Sequence, residues 1–150
     1  MPTRPWLAAG SPSSATGDAM AVSFNVPGKP VPQPRQRTTK TGHTYYPDNG
    51  IVAYRAAIAR AARAVCKSPL EQVPLTMVVD FVFERPKSHF RKDGSLRDGV
   101  PVLPRGDNKN LLSGVEDALN KIAYLDDHQI GKHVIERSYG TEARTTVRIS

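Results

Sequence analysis

The chain predicts an α+β fold: a small mixed β-sheet with two helices packed on it, in the order β-α-β-α-β-β. Leu75 to Glu84 alternates strictly, with Leu75, Met77, Val79, Phe81 and Phe83 on one side and Thr76, Val78, Asp80, Val82 and Glu84 on the other, the period of a strand. Two segments, around Ile51 and around Leu111, instead repeat apolar residues at three- and four-residue steps, the period of a helix. Further strand-like runs lie before the first helix and after the second.

Residues 1–20 are rich in Pro, Ser, Ala and Gly and lack apolar periodicity, which predicts a disordered leader ahead of a single domain over 21–150. Met20 offers an alternative start. Ala21 to Val26 reads as the first strand, closed by Pro27-Gly28. Lys29 to Tyr46 is a loop with Arg35, Arg37, Lys40 and His43, either solvated or a phosphate-contacting arm. Asp48 or Asn49 caps a helix to about Cys66, with Ile51, Tyr54, Ile58, Ala61 and Val65 as its core stripe. Arg60, Arg63 and Lys67 form a second, basic stripe on it. The strand from Leu75 has a central character; Pro86 ends it and opens a long loop to Gly106 that carries Lys87, His89, Arg91, Lys92, Arg97 and Arg105. Asp107 caps the second helix, whose core stripe is Leu111, Val115, Ala118, Leu119 and Ile122. Asn110, Ser113, Asp117 and Lys121 lie on another face of it. Gln129 to Tyr139 and Ala143 to Ile149 finish the chain as strands, the last alternating Ala143, Thr145, Val147 and Ile149 against Arg144, Thr146 and Arg148.

At 150 residues the chain holds one ordinary core. Its net charge of +7, spread along the sequence, makes nucleic acid the leading partner class, with a merely soluble cationic surface as the alternative. A single cysteine, Cys66, excludes an internal disulfide and disfavours a cysteine zinc site; it reads as buried packing. No apolar run reaches the roughly 20 residues of a membrane span, and no signal-peptide h-region precedes the domain, which predicts no membrane partner and a cytoplasmic location.

Against this basic background, acidic residues gather at two places: Asp107 at a helix start, and Asp126-Asp127 just past the helix end. Such carboxylates can hold a divalent cation against a phosphodiester while Lys and Arg hold the polyanion. Taken singly, an Asp at a helix start is a cap and an Asp pair before a strand is a turn. Other chemistries lack their motifs: there is no Walker-type loop, no Gly-x-Ser-x-Gly elbow, and His43, His89, His128 and His133 have no metal-ligand spacing.

The blocks Asp107-x-x-Asn110-Leu111, Asp117-Ala118-Leu119-Asn120 and Tyr124-x-Asp126-Asp127-x-Gln129-Ile130 resemble the RusA family of Holliday junction resolvases, especially its phage members. The likeness extends to Phe24-Asn25-Val26-Pro27-Gly28-Lys29-Pro30, to Arg35-Gln36-Arg37 and to Arg85-Pro86-Lys87-Ser88-His89-Phe90. The resemblance implies a homodimeric, magnesium-dependent endonuclease, with manganese as a substitute, that nicks four-way DNA junctions symmetrically in recombination and repair. By the same resemblance Asp107 and Asp127 are metal ligands and catalytic, and Asp126, which precedes the latter, is a secondary candidate for a ligand.

Two positions depart from the family pattern. Lys109 stands where the motif has its second Asp, and Ser113 where it has a Lys. An ammonium among metal ligands opposes a divalent ion, yet Lys109 can also supply the charge the missing lysine would have given and so act catalytically. Asp80, Glu116 or Asp117 is then left to complete an acidic set. Arg35, Arg37, Arg60, Arg63, Arg91 and Asn110 are the expected DNA contacts, chiefly to phosphates. Two further readings stand beside the nuclease: a catalytically impaired junction-binding protein of the same fold, and a small basic RNA-binding domain.

Overall fold

The alternating run Leu75–Glu84 forms a strand in the interior of the sheet, paired on both edges. The computed structural model describes residues 21–150, so the leader expected over 1–20 lies outside the described residues. In chain order the elements are β1 (Val22–Pro27), β2 (Arg37–Thr38), β3 (Thr44–Tyr45), α1 (Ile51–Val65), β4 (Leu75–Glu84), α2 (Asn108–Leu119), β5 (Ile130–Gly140) and β6 (Arg144–Ile149). Short 3-10 turns occupy Lys87–His89 and Asp127–Gln129. The main sheet runs β1-β6-β4-β5; β4 and β5 are parallel, and the other two pairings are antiparallel. This is the mixed sheet that the sequence predicts, and α2 is the crossover that the parallel pair requires.

One sheet face carries the core. Leu75, Met77, Val79 and Phe81 of β4 and Val147 and Ile149 of β6 pack under Ile51, Tyr54 and Ile58 of α1 and Leu111, Val115 and Leu119 of α2. The helices approach closely at Gly114, where an added Cβ would lie 3.1 Å from the Ile51 Cδ1 atom. Within this apolar layer the Tyr54 hydroxyl hydrogen-bonds the Thr145 hydroxyl at 2.6 Å. Burial pushes the Tyr54 phenol up to about 12, against the lowering effect of that bond. Tyr54→Phe therefore strands a buried Thr145 hydroxyl, and urea unfolding is expected to show a loss of about 1–3 kcal/mol. Adding Thr145→Val should recover most of it; an unchanged Tyr54→Phe midpoint would show that the bond contributes nothing.

Several local expectations need correction. Neither Asp48 nor Asn49 caps α1. The Asp48 carboxylate accepts from the Gly50 N–H (2.9 Å), the Asn49 amide donates to the Pro32 carbonyl (3.0 Å), and Gly50 itself, at φ 97°, is the cap residue. Both side chains thus fold the approach to the helix instead of its first turn. Ala62, not Ala61, continues the buried stripe four residues after Ile58, and Val65 is 47% exposed because α1 ends there with its side turned outward. The loop from Lys29 to Tyr46 contains the hairpin of β2 and β3. Ile122 falls beyond α2, which stops at Leu119 where Asn120 turns extended and Lys121 takes φ 70°; it packs against the core from the turn. Cys66 is only partly buried, and that burial raises its thiol pKa, which keeps it a poor nucleophile. Among the described residues no helix is long and apolar enough to cross a membrane.

Candidate active site at the two ends of the second helix

Asp107 has extended backbone and its carboxylate accepts from the Lys109 N–H at 2.8 Å, which makes it the N-cap the sequence predicts. Three neighbours fix this helix start. Arg137 of β5 donates to the Asn108 side chain (2.6 Å) and to the Pro104 carbonyl (3.2 Å), closing the end of the long loop. The Gln33 N–H donates to the Asn110 carbonyl (2.9 Å), so the basic loop after β1 is rooted against α2. Arg35 from that loop then reaches to 4.0 Å from Asp107, with its side chain 83% exposed. So exposed an ion pair adds little stability. It does place Arg35 beside Asp107 at the helix N-terminus that also carries Lys109, where backbone N–H groups and the helix dipole favour a phosphate.

The other end of α2 is acidic. Glu116 and Asp117 close the helix, and Asp126 and Asp127 follow in the turn to β5. Asp126 caps the 3-10 turn by accepting from the His128 N–H (3.0 Å), and that bond, followed by those from Asp127 and the His128 side chain, holds its carboxyl at about 2. Asp127 moves the opposite way, raised by its hydrogen bond with Asp126, by burial, and by the charges of Asp126 and Asp117. Glu116 is raised by burial first; the nearby His133, at 3.7 Å, opposes this, and the charges of Asp127 and Asp117 add to it.

Gln129 holds this turn, a role that sequence reasoning missed. Its amide oxygen accepts from the N–H groups of Leu125 (2.8 Å) and Asp126 (2.9 Å), and its amide nitrogen donates to the carbonyls of Leu70 (3.0 Å) and Gln72 (3.1 Å). It is 3% exposed, so all four partners lose their bond if it is removed. Gln129→Ala is expected to destabilise the fold by roughly 2–4 kcal/mol, visible as a lowered melting temperature, and to loosen Asp127. A melting temperature within a degree of the parent would refute that role. The signal was present in the spacing Asp126-x-x-Gln129, which is that of a capping box.

The two ends do not meet within one chain. Arg137 touches Asn108 and His133 touches Glu116, so β5 runs antiparallel to α2 and Asp127, ahead of β5, stays beside the C-terminal half of the helix. About 15 Å of helix axis separates Asp107 from Asp117, at a rise of about 1.5 Å per residue. Among the described residues no group of three or more His, Cys, Asp or Glu side chains is placed to hold a metal ion. Asp80 does not complete either end, because it is fully buried on the sheet face turned away from both helices. Asp117 instead faces Arg55 at 3.6 Å. The described residues of one copy thus do not gather a full ligand set for a divalent ion.

Of the expected DNA contacts, Arg35 stands at the helix start and Arg37 is exposed on the hairpin. Arg60 and Arg63 are exposed further along α1, past the point where Ile51 meets Gly114 and Arg55 meets Asp117. Arg91 is engaged inside its own loop, donating to the Leu96 carbonyl (2.8 Å) and pairing with Asp98 (3.2 Å).

The family model for endodeoxyribonuclease RusA matches residues 27–150. Among curated proteins, YqaN of Bacillus subtilis (strain 168), described as uncharacterized, is 28% identical over 134 residues, which span 85% of this chain and 94% of that protein.

Proposed function

The chain belongs to the endodeoxyribonuclease RusA family, and from that premise we propose that it is a structure-selective nuclease that resolves four-way DNA junctions as a homodimer, in recombination and repair. The observation that carries this reading is the placement of Asp107, Lys109 and Arg35 together at the N-terminus of α2. Lys109 and Arg35 hold the phosphodiester there, and the N–H groups of the first turn add further donors. Junctions are distinguished by strand geometry and not by base edges, so exposed bases such as Arg37, Arg60 and Arg63 grip the arms by their phosphates.

Two copies explain what one copy leaves apart. The N-terminal end of α2 presents Lys109 and Arg35, and the C-terminal end presents Glu116, Asp117, Asp126 and Asp127. Antiparallel pairing of two such helices about a two-fold axis sets the basic end of one against the acidic end of the other. Asp107 of one copy then shares a site with Asp127 of the second, twice per dimer, as two symmetric nicks demand. Magnesium or manganese is the ion such a shared site would take, and it would supply charge stabilisation at the phosphate.

A second reading, a junction-binding protein that does not cut, is favoured specifically by Lys109 at an acid position and by the lack of three gathered ligands among the described residues. Both readings predict preference for branched over linear DNA. A competition binding assay is expected to show a four-way junction displacing the protein from duplex of the same sequence at a concentration at least about tenfold lower. Equal competition by duplex, or tighter binding to duplex RNA, would remove both.

A further inference from the structure

At the far end of α2 from Asp126 and Asp127, the loop that follows β4 and the ends of β4 and β5 enclose an open cavity of about 480 Å³. We propose that this cavity receives one unpaired nucleobase at the branch point of bound DNA; the inference rests on the DNA-junction reading above. Phe90, Leu96 and Tyr139 supply an apolar and aromatic lining; Arg85 and Lys87 line the same cavity as cations and outnumber its one carboxylate, Glu84. That combination suits a nucleotide, whose base offers a face for stacking and whose phosphate offers a negative charge.

The cavity is built, not a chance gap between mobile side chains. Phe90 and Leu96 pair across a β-bridge, the Arg91 N–H donates to the Ser95 carbonyl (2.7 Å), and the Arg97 N–H donates to the His89 carbonyl (2.8 Å). The Tyr139 ring is held from two directions, by the Arg85 guanidinium 4.2 Å from its centroid and by the His89 ring edge-on at 5.8 Å. A wall fixed in this way binds without first paying to order itself. Tyr139 lies two residues after Arg137, which clamps Asn108, so the cavity belongs to the same end of the fold as Asp107 and Lys109. A base stacked within an arm has little reason to leave; at a branch point stacking is already interrupted and extrusion costs least.

The test uses a four-way junction of fixed branch position, with the branch-point base either present or removed as an abasic nucleotide. Wild-type protein is expected to bind the intact junction roughly 5- to 100-fold more tightly than the abasic one. Phe90→Ala should lose that preference while binding the abasic junction as the wild type does, and Phe90→Leu, which keeps bulk without an aromatic face, should lose most of it. Lys87→Ala should weaken both complexes alike and keep the preference. Equal wild-type affinity for the two junctions overturns the inference, and so does a Phe90→Ala loss of the same size on both. A wild type that shows no preference for branched over linear DNA overturns the junction reading itself, and this inference with it.

Discussion

Protein carrying Asp107→Asn, mixed with protein carrying Asp127→Asn, is expected to regain nicking activity that neither variant has alone. The expectation follows from the position of these residues at opposite ends of α2, which at 12 residues is about 18 Å long. If each site takes Asp107 from one copy and Asp127 from the other, a mixed dimer has one site lacking both acids and one site that is intact. Random exchange of subunits then gives about a quarter of the wild-type number of sites, all in dimers that can cut only one strand. Each variant alone should be reduced by at least about a hundredfold, the usual cost of removing a group that stabilises developing charge. Binding of the junction should survive in both, since neither acid contacts phosphate directly. If mixing restores nothing although each dimer exchanges subunits, the two acids do not share a site between copies.

Replacing Lys109 has the next largest expected effect. Its backbone N–H satisfies the Asp107 cap, so the side chain is available without disturbing the helix start. In the proposed dimer its ammonium faces the phosphate beside the acidic end of the second copy and supplies the positive charge that the family's lysine gives from the position of Ser113. Lys109→Ala should therefore lower nicking by about 100- to 1000-fold. It should also make the dependence of binding on salt shallower by about 0.9 in the log-log slope, the signature of one lost phosphate contact. Full cleavage by Lys109→Ala would exclude the compensation. Lys109→Asp separates the readings from the other side. If the wild type binds without cutting, metal-dependent nicking gained by Lys109→Asp would locate the defect at this one side chain.

Much of the fold was legible because the sequence is locally consistent. The strict alternation of β4 fixed its face and its interior position, and the alternation of β6 did the same for Thr145, Val147 and Ile149. Asp107 was readable as a cap because it directly precedes an apolar helical run. The start of α1 was not, since Asp48 serves equally well in a turn, and a glycine at positive φ takes the cap position. The hairpin of β2 and β3 has two residues per strand, too short for any period to show. The nuclease family was legible in the motif blocks, and the spatial arrangement of their acids was not. Asp107 and Asp127 stand out as acids in a basic chain, but sequence spacing alone does not show that the helix between them acts as a spacer. The spacing Asp126-x-x-Gln129 carried the local half of the Gln129 role, but its two other partners, the Leu70 and Gln72 carbonyls, come from residues almost 60 positions away and leave no local pattern.

The most direct test of the account is to incubate the wild-type protein with a four-way junction labelled on one strand at a time, in magnesium and then in manganese, and to map the products. Nicks are expected at symmetry-related positions in two opposing strands, with linear duplex left intact. A junction that is bound but stays uncut in both ions would contradict the nuclease assignment and leave a junction-binding protein in its place.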